Sequence, residues 1–311
     1  MTATQPPHTE ALPADTRLRK PQKPMPLGTI DFHAHIFDCF DVYPLAPSAQ
    51  YRPQLSTREA WFALHDALGV ARGVQVQGSP YGFDNSITED FVREHPSRLR
   101  AVGAIALDVS DATLKRLSEA GFVAARMMDQ FATGLTTKDL DAIAARVAPF
   151  GWHLEINIAK SEDWVALEPK LMNCPVPIGF DHMGRTRGGE GINAPGFQVI
   201  RRVLDRRPDC FTKISSWYRL SDVGPPSFAD MKPFAQTLLR NNPDQCVWGT
   251  NWPHPSISSN MPNDIDLVDQ LEEWMPSEEV REKLFVRNPE RIYQFQNIPA
   301  APGSAVAPFD A

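Results

Sequence analysis

The sequence predicts a single (β/α)8 barrel of the TIM type. Two observations carry the prediction. Eight short apolar runs alternate with eight amphipathic stretches over about 265 residues, the span one such barrel needs. No glycine-rich phosphate turn follows the first run, as a doubly wound dinucleotide-binding sheet would require. The apolar runs lack polar alternation, which suits strands of a parallel sheet buried on both faces.

The units follow one another in order. GTIDFHAHI leads, after a long proline-rich loop, to TREAWFALHDALGV; GVQVQGS leads to NSITEDFVREHP, and RAVGAIAL to DATLKRLSEAG. FVAARMMD precedes TTKDLDAIAARVAPFG, and WHLEINIA precedes SEDWVALEPKLMN. VPIGFDHMG, CFTKISSW and QCVWGTNW are followed by NAPGFQVIRRVLDRR, FADMKPFAQTLLRNN and DIDLVDQLEEWM. Thr57, Asp111 and Ser277 stand where helix N-caps are expected. Gly69, Gly121 and Gly151 stand where helices close on a left-handed residue. Trp61, Trp152 and Trp274 read as packing residues.

Composition narrows the function classes. Hydrophobic content of 42% and charged content of 22% are those of a soluble globular chain. The net charge of −7 gives no basic excess for nucleic acid or an acidic membrane surface. No apolar run is long enough for a membrane span. Cys39, Cys174, Cys210 and Cys246 show no zinc-type spacing and read as free thiols, which points to a reducing cytoplasm. Residues 1–27, rich in proline and polar side chains and without a secretory core, read as a flexible extension. The barrel is expected over 28–296, with a flexible tail over 297–311.

Active sites of such barrels lie at the C-terminal strand ends, so the residues there were compared. The first strand carries His33 and His35, which share a face because strand side chains alternate. The second exits through Gln77 and Ser79, the fourth carries Arg126, the fifth Asn157 and the sixth His182 after Asp181. Lys213, Tyr218 and Arg219 follow on the seventh, and Asn251 and His254 on the eighth. Arg126 could simply pair with Asp129. Polar groups at the same end of at least five strands are nonetheless a costly way to fill a core, since each needs a partner. Arg126, Arg219 and Arg185 form a cationic lining inside an acidic protein, which suits an anionic small molecule.

Taken together, DFHAHIF, FDHMGR and WGTNWPHP on the first, sixth and eighth strands resemble the amidohydrolase superfamily. Within it they resemble the branch of 2-pyrone-4,6-dicarboxylate lactonase and D-galactarolactone isomerase. QGSPYGFDN, PVPIGFDHMGR, GPP and VRNPERIY extend the resemblance, which runs in order from Gly28 to Phe295. It implies that His33, His35 and His182 surround a scissile lactone, with Asn251 where the lactonase has its catalytic aspartate. It further implies that Arg126 and Arg219 hold substrate carboxylates and that Tyr51 and Ser79 touch the substrate. Asn157 replaces a tyrosine of the lactonase. The strand-eight asparagine and the ARMMD form of strand four are shared with the isomerase, which tilts the expectation toward isomerase or sugar-acid lactone chemistry. Asn251 is either a native specialisation or an introduced replacement.

The paired histidines also raise the question of a divalent metal. A zinc site needs further anionic or imidazole ligands, yet the remaining exits offer Asn157 and Asn251, and Lys160 as a conceivable carbamate lies just beyond. The expectation is therefore no cofactor, and the resemblance agrees. The expected function is an enzyme acting on a small anionic lactone, a monomer or small homo-oligomer, by hydrolysis or intramolecular isomerisation. Without an aspartate at 251 the base must be a neutral histidine among His33, His35, His182 and His254. The alternatives are a zinc-dependent decarboxylase or hydrolase of the same superfamily, and a catalytically silent barrel that binds acids.

Overall fold

A computed structural model describes residues 9–131 and 134–295. Eight parallel strands follow one another around a barrel in chain order. They are β1 (Ile30–Ala34), β2 (Arg72–Val76), β3 (Leu99–Gly103), β4 (Phe122–Met128), β5 (His153–Asn157), β6 (Ile178–Phe180), β7 (Phe211–Ile214) and β8 (Cys246–Trp248). A helix follows each: α1 (Arg58–Leu68), α2 (Ser86–Glu94), α3 (Asp111–Ala120), α4 (Leu140–Val147), α5 (Asp163–Asn173), α6 (Pro195–Arg206), α7 (Lys232–Asn241) and α8 (Asp264–Trp274). The predicted fold class is the one observed.

Local chemistry sets the helix ends. The Thr57 and Ser277 side chains accept N–H bonds from Ala60 and Val280, as expected of N-caps. The cap of α3 is Ser110, not Asp111: the Ser110 hydroxyl accepts from Thr113 N, and Asp111 is the first helical residue, where its charge meets the positive helix end. Gly69, Gly121 and Gly151 all close helices in the left-handed region.

The barrel is sealed at its mouth, where β8 meets β1. Asn251 N–H donates to the His33 carbonyl at 2.7 Å, and His35 N–H donates to the Trp252 carbonyl at 2.8 Å. The buried Asp31 carboxylate accepts from Thr250 N at 2.9 Å and from its hydroxyl at 2.7 Å. Gly249 permits this approach, because a Cβ there would lie 2.7 Å from His33 N. The seam thus runs through the residues that bear the site.

Inside the barrel Phe32, Val74, Val76, Val102, Phe211 and Val247 pack with Tyr293 and Phe295 of the C-terminal segment. Phe32 and Tyr293 meet edge to face, centroids 4.1 Å apart. A second apolar layer lies between strands and helices and includes Trp61, Trp152 and Trp274, all buried as expected. Cys174, Cys210 and Cys246 are buried free thiols, whereas Cys39 is exposed. Among the described residues no helix is long and apolar enough to cross a membrane.

Residues 9–27 of the expected N-terminal extension make contacts with the barrel. Thr9–Glu10 pairs in parallel with Tyr51–Arg52, and Leu12 N–H donates to the Ile257 carbonyl at 2.7 Å. Further along, Arg19 pairs with Asp266 and Asp269, and Lys23 with Glu278. The Arg281 guanidinium donates to the Pro24 carbonyl at 2.5 Å. Its basic residues lie against the acidic outer face of α8 and the helix after it, which local composition cannot disclose. Residues 1–8 and the tail 297–311 fall outside the described residues.

Candidate active site

The strand exits converge on a pocket of about 390 Å³, counting its open mouth. His35, Asn157, His182 and Asn251 form its floor and walls, with Tyr51 and Ser79 to one side. Arg126, Arg185 and Arg219 add three guanidinium groups to the same lining. Nine of the expected site residues therefore meet in one cavity. Met128, Gln130, Phe131, Pro255 and Ser256 complete it and were not anticipated. Met128 ends β4, and the other four sit in the loops after β4 and β8, whose course only the folded chain reveals.

Backbone strain concentrates at these exits. His182, Met183 and Arg185 after β6, Ser216 after β7, and Asn251 and His254 after β8 all have φ between 52° and 60°. Non-glycine residues adopt this region at a cost of order 1–3 kcal/mol each, and such residues cluster at functional sites. The strain here turns His182 and Asn251 off their strands.

Beneath the pocket lies a buried ionic cluster. Lys213 Nζ sits 2.8 Å from His33 Nδ1, 3.1 Å from Asp181 Oδ1 and 2.5 Å from Glu155 Oε2, and all four side chains are shielded from solvent. Tyr293 donates its hydroxyl to the other Glu155 oxygen, and Asn157 donates to Asp181 Oδ2 at 3.4 Å. Burial pushes Glu155 up, but Lys213 and His153 outweigh it and bring Glu155 down to about 2. Burial wins at Asp181, whose carboxyl is raised despite Lys213.

These contacts settle proton positions. Lys213 has no acceptor, so it donates to His33 Nδ1, and the His33 proton resides on Nε2. His33 Nε2 faces His35 Nε2 at 3.2 Å, and His35 Nδ1 donates to the Val76 carbonyl at 2.7 Å. Burial, then Arg126, takes His35 down to about 3, and burial, then Lys213, takes His33 well below its ordinary value. His182, hydrogen-bonded through Nδ1 to Ser215 Oγ at 2.8 Å, is lowered by burial, then by Arg185. Arg185 is itself brought down to about 10 by burial, then by Arg219. The site holds three neutral imidazoles in a positive potential.

Several expected residues are placed differently. His33 is fully buried below His35 and does not reach the pocket wall. Gln77 is turned away: its amide donates to the Asp84 carbonyl, accepts from Thr88 at 2.7 Å, and its backbone carbonyl accepts from Arg126 at 2.8 Å. Tyr218 and His254 lie behind Asn251, bonded to each other at 2.7 Å, and are not part of the lining. His254 is not a neutral candidate base: burial lowers it, yet Tyr218 and Asp264 raise it to about 9. Arg126 does not pair with Asp129, whose carboxylate accepts from Thr137 instead. Lys160 is exposed and lies near Glu162, 3.7 Å away, so it is not presented to the site.

His33, Asp181 and His182 bring metal-ligand atoms within 4.8 Å of one another. The Lys213 ammonium lies against two of these residues, 2.8 Å from His33 Nδ1 and 3.1 Å from Asp181 Oδ1.

A parallel barrel with a cationic, imidazole-centred mouth defines a class of enzyme built to work on small anions. A family model described as amidohydrolase matches residues 30–295, and the chain belongs to that family. It is 34% identical over 283 residues to the 2-pyrone-4,6-dicarboxylate hydrolase of Comamonas testosteroni, covering 88% of this chain and 92% of the other. It is 27% identical over 284 residues to the D-galactarolactone isomerase of Agrobacterium fabrum, covering 90% and 96%. A ligand-free crystal structure of an Agrobacterium tumefaciens protein superposes with a TM-score of 0.80 at 27% identity, covering 88% and 98%.

Proposed function

We propose that the protein is an enzyme that acts on the ester bond of a small carboxylated lactone, without a resident metal. One observation carries this reading: His35, His182 and Asn251 share a pocket with Arg126, Arg185 and Arg219. The relatives named above, a lactone hydrolase and a lactone isomerase, support it. The guanidinium groups hold carboxylate by charge-assisted, bidentate contacts. Imidazole and guanidinium N–H groups stabilise the lactone carbonyl oxygen as it gains charge.

Binding also prepares the base. Burial, then the Arg126 charge, hold His35 down at about 3, so pairing Arg126 with a substrate carboxylate removes the second of these and moves His35 upward. Asn251 cannot take a proton, which favours isomerisation over hydrolysis. In that route a substrate hydroxyl gives its proton to the base as it attacks the ring carbonyl, the ring C–O bond breaks, the expelled oxygen takes that proton back, and no water enters. The intramolecular attack gains from proximity.

The donor set argues against a resident divalent cation. An ammonium lies against His33 Nδ1 and Asp181 Oδ1, and His35 Nε2 faces His33 Nε2 and the neutral Asn251 amide, each at 3.2 Å, with no anionic ligand beside it. The test is a proton NMR time course with carboxylated lactones, among them a pyrone dicarboxylate and aldarate lactones, with and without chelator. A new lactone of unchanged mass identifies isomerisation, and a ring-opened acid identifies hydrolysis. Loss of turnover on chelation refutes the metal-free mechanism. No turnover across the panel, with saturable binding, leaves a silent acid-binding barrel.

A further inference from the structure

The Asn251 carboxamide lies between two partners whose protons decide its orientation. Its Oδ1 is 3.2 Å from His35 Nε2, and its Nδ2 is 2.9 Å from the Tyr218 hydroxyl. The two ends of a carboxamide have the same shape, so the surrounding hydrogen bonds determine which end faces which partner. His35 Nδ1 carries a proton, because its partner is the Val76 carbonyl, which only accepts. Neutral His35 then presents a lone pair at Nε2. That lone pair already faces the His33 Nε2 proton at 3.2 Å, so an amide oxygen is repelled there, whereas an amide N–H shares the acceptor as a second donor.

With the nitrogen end toward His35, the oxygen end meets Tyr218, which must donate to it. The Tyr218 oxygen, its one proton committed, accepts from His254 Nδ1–H at 2.7 Å. His254 Nε2 lies 3.2 Å from Asp264 Oδ1 at the start of α8. Both residues are buried, and a carboxylate there is costly unless it faces a cation. A chain of polar groups thus runs from α8 through the barrel wall to the pocket.

We propose that Asp264, His254 and Tyr218 are positioning residues that turn the nitrogen end of Asn251 toward the reacting centre. One amide N–H shares His35 Nε2 with the His33 N–H, and the other is offered to the lactone oxygen as it gains charge. Asn251 therefore donates where an aspartate would accept. The groups facing His254 are Tyr218 and, behind it, Arg219 from the turn after β7, and Asp264 from α8. Arg219 opposes an imidazolium at 254, and Asp264 favours it. Burial raises the Tyr218 hydroxyl, but His254 and Arg219 bring it below its usual value, which makes it a stronger donor.

The inference deepens the lactone reading and rests on it for its kinetic arm alone. The first measurement needs no substrate: ring nitrogen NMR of histidine-labelled protein, with the 254 signal identified by its absence from His254→Gln. The expected result at pH 7 is a doubly protonated ring that becomes neutral at pH 7 in Asp264→Asn. A neutral wild-type ring at pH 7 overturns the proposal, whatever the enzyme turns over. With a lactone that is turned over, Tyr218→Phe should lower kcat on the order of 10- to 100-fold, since it misaligns one oxyanion donor. KM should stay within about twofold, because the carboxylate clamps are untouched. Unchanged kcat in a Tyr218→Phe protein that melts like wild type also overturns it. If no lactone is turned over, the lactone reading falls, while the NMR result still decides the proton chain.

Discussion

Replacing Lys213 with methionine tests the buried cluster beneath the site. The substitution keeps the side chain's length but removes the cation facing Glu155 Oε2, Asp181 Oδ1 and His33 Nδ1. Two shielded carboxyls then lack a counter-charge, and the folded protein's remedy is to take up a proton. For Glu155, whose ordinary value is 4.5, protonation at pH 7 spans about 2.5 pH units at roughly 1.36 kcal/mol each, or about 3 kcal/mol. That matches the low end of the ~3–5 kcal/mol typical of breaking a buried pair. With an unfolding entropy of about 2.1 cal/mol/K per residue, a chain of this length should lose about 5 °C in Tm.

The loss should also depend on pH. In the variant the folded state holds a proton that the unfolded chain releases above its ordinary value of 4.5, so the variant's deficit relative to wild type shrinks as pH falls from 7 to 5. The expected slope is about 1.4 kcal/mol per unit for one proton. In the wild type Glu155, at about 2, is ionised in both states across this window and adds no slope. A proton taken by His33 in the variant would narrow the gap in the same direction. Thermal and urea unfolding of both proteins at pH 5, 6 and 7, followed by circular dichroism, gives the answer. A Tm within about 1 °C of wild type at pH 7, or a gap that stays constant with pH, refutes the reasoning.

Other expectations follow from the same geometry. Arg126→Met and Arg219→Met should each raise KM for a carboxylated lactone about 10- to 100-fold, the worth of one charge-assisted contact, and steady-state kinetics checks this. His33, His35 and His182 are neutral when folded, while the unfolded chain protonates near 6.5, so stability should fall as pH drops below that value. The limiting slope is about 4 kcal/mol per pH unit for the three, and equal urea midpoints at pH 7 and 5.5 would contradict it. Gly249→Ala places a Cβ 2.7 Å from His33 N and should force the mouth seam apart, costing about 1–3 kcal/mol and most of the activity. An active variant with wild-type Tm would show that β1 and β8 close the barrel differently.

The barrel was legible because the strands are short apolar runs, most with a polar residue at the exit, and because helix ends such as Thr57 and Gly69 on α1 carry their own caps. The pocket was legible for the same reason: a strand's C-terminal end is a position in sequence as well as in space. Depth was not. His33 and His35 share a face by the two-residue period, yet a register shift between Asp31 and Ala34 and the pull of Lys213 hold His33 below the floor while His35 reaches the cavity. Lys213 itself read as one more exit residue. Its meaning depends on Glu155, two strands away in the barrel, and on Tyr293 at the far end of the chain.

The same limit applies to the N-terminal extension and to His254. The N-terminal extension has the composition of a flexible segment, and the partners of its Arg19 and Lys23 are acidic side chains about 250 residues later, such as Asp266 and Glu278. His254, three residues from Asn251, looked like a spare neutral base. Its protonation is governed by Asp264, which as a helix-opening acidic residue would ordinarily be solvated. An asparagine in a position that could hold an acid is therefore not by itself a sign of lost chemistry. What Asn251 can do is decided by the hydrogen bonds that orient it, and those come from β1, the turn after β7 and, through His254, α8.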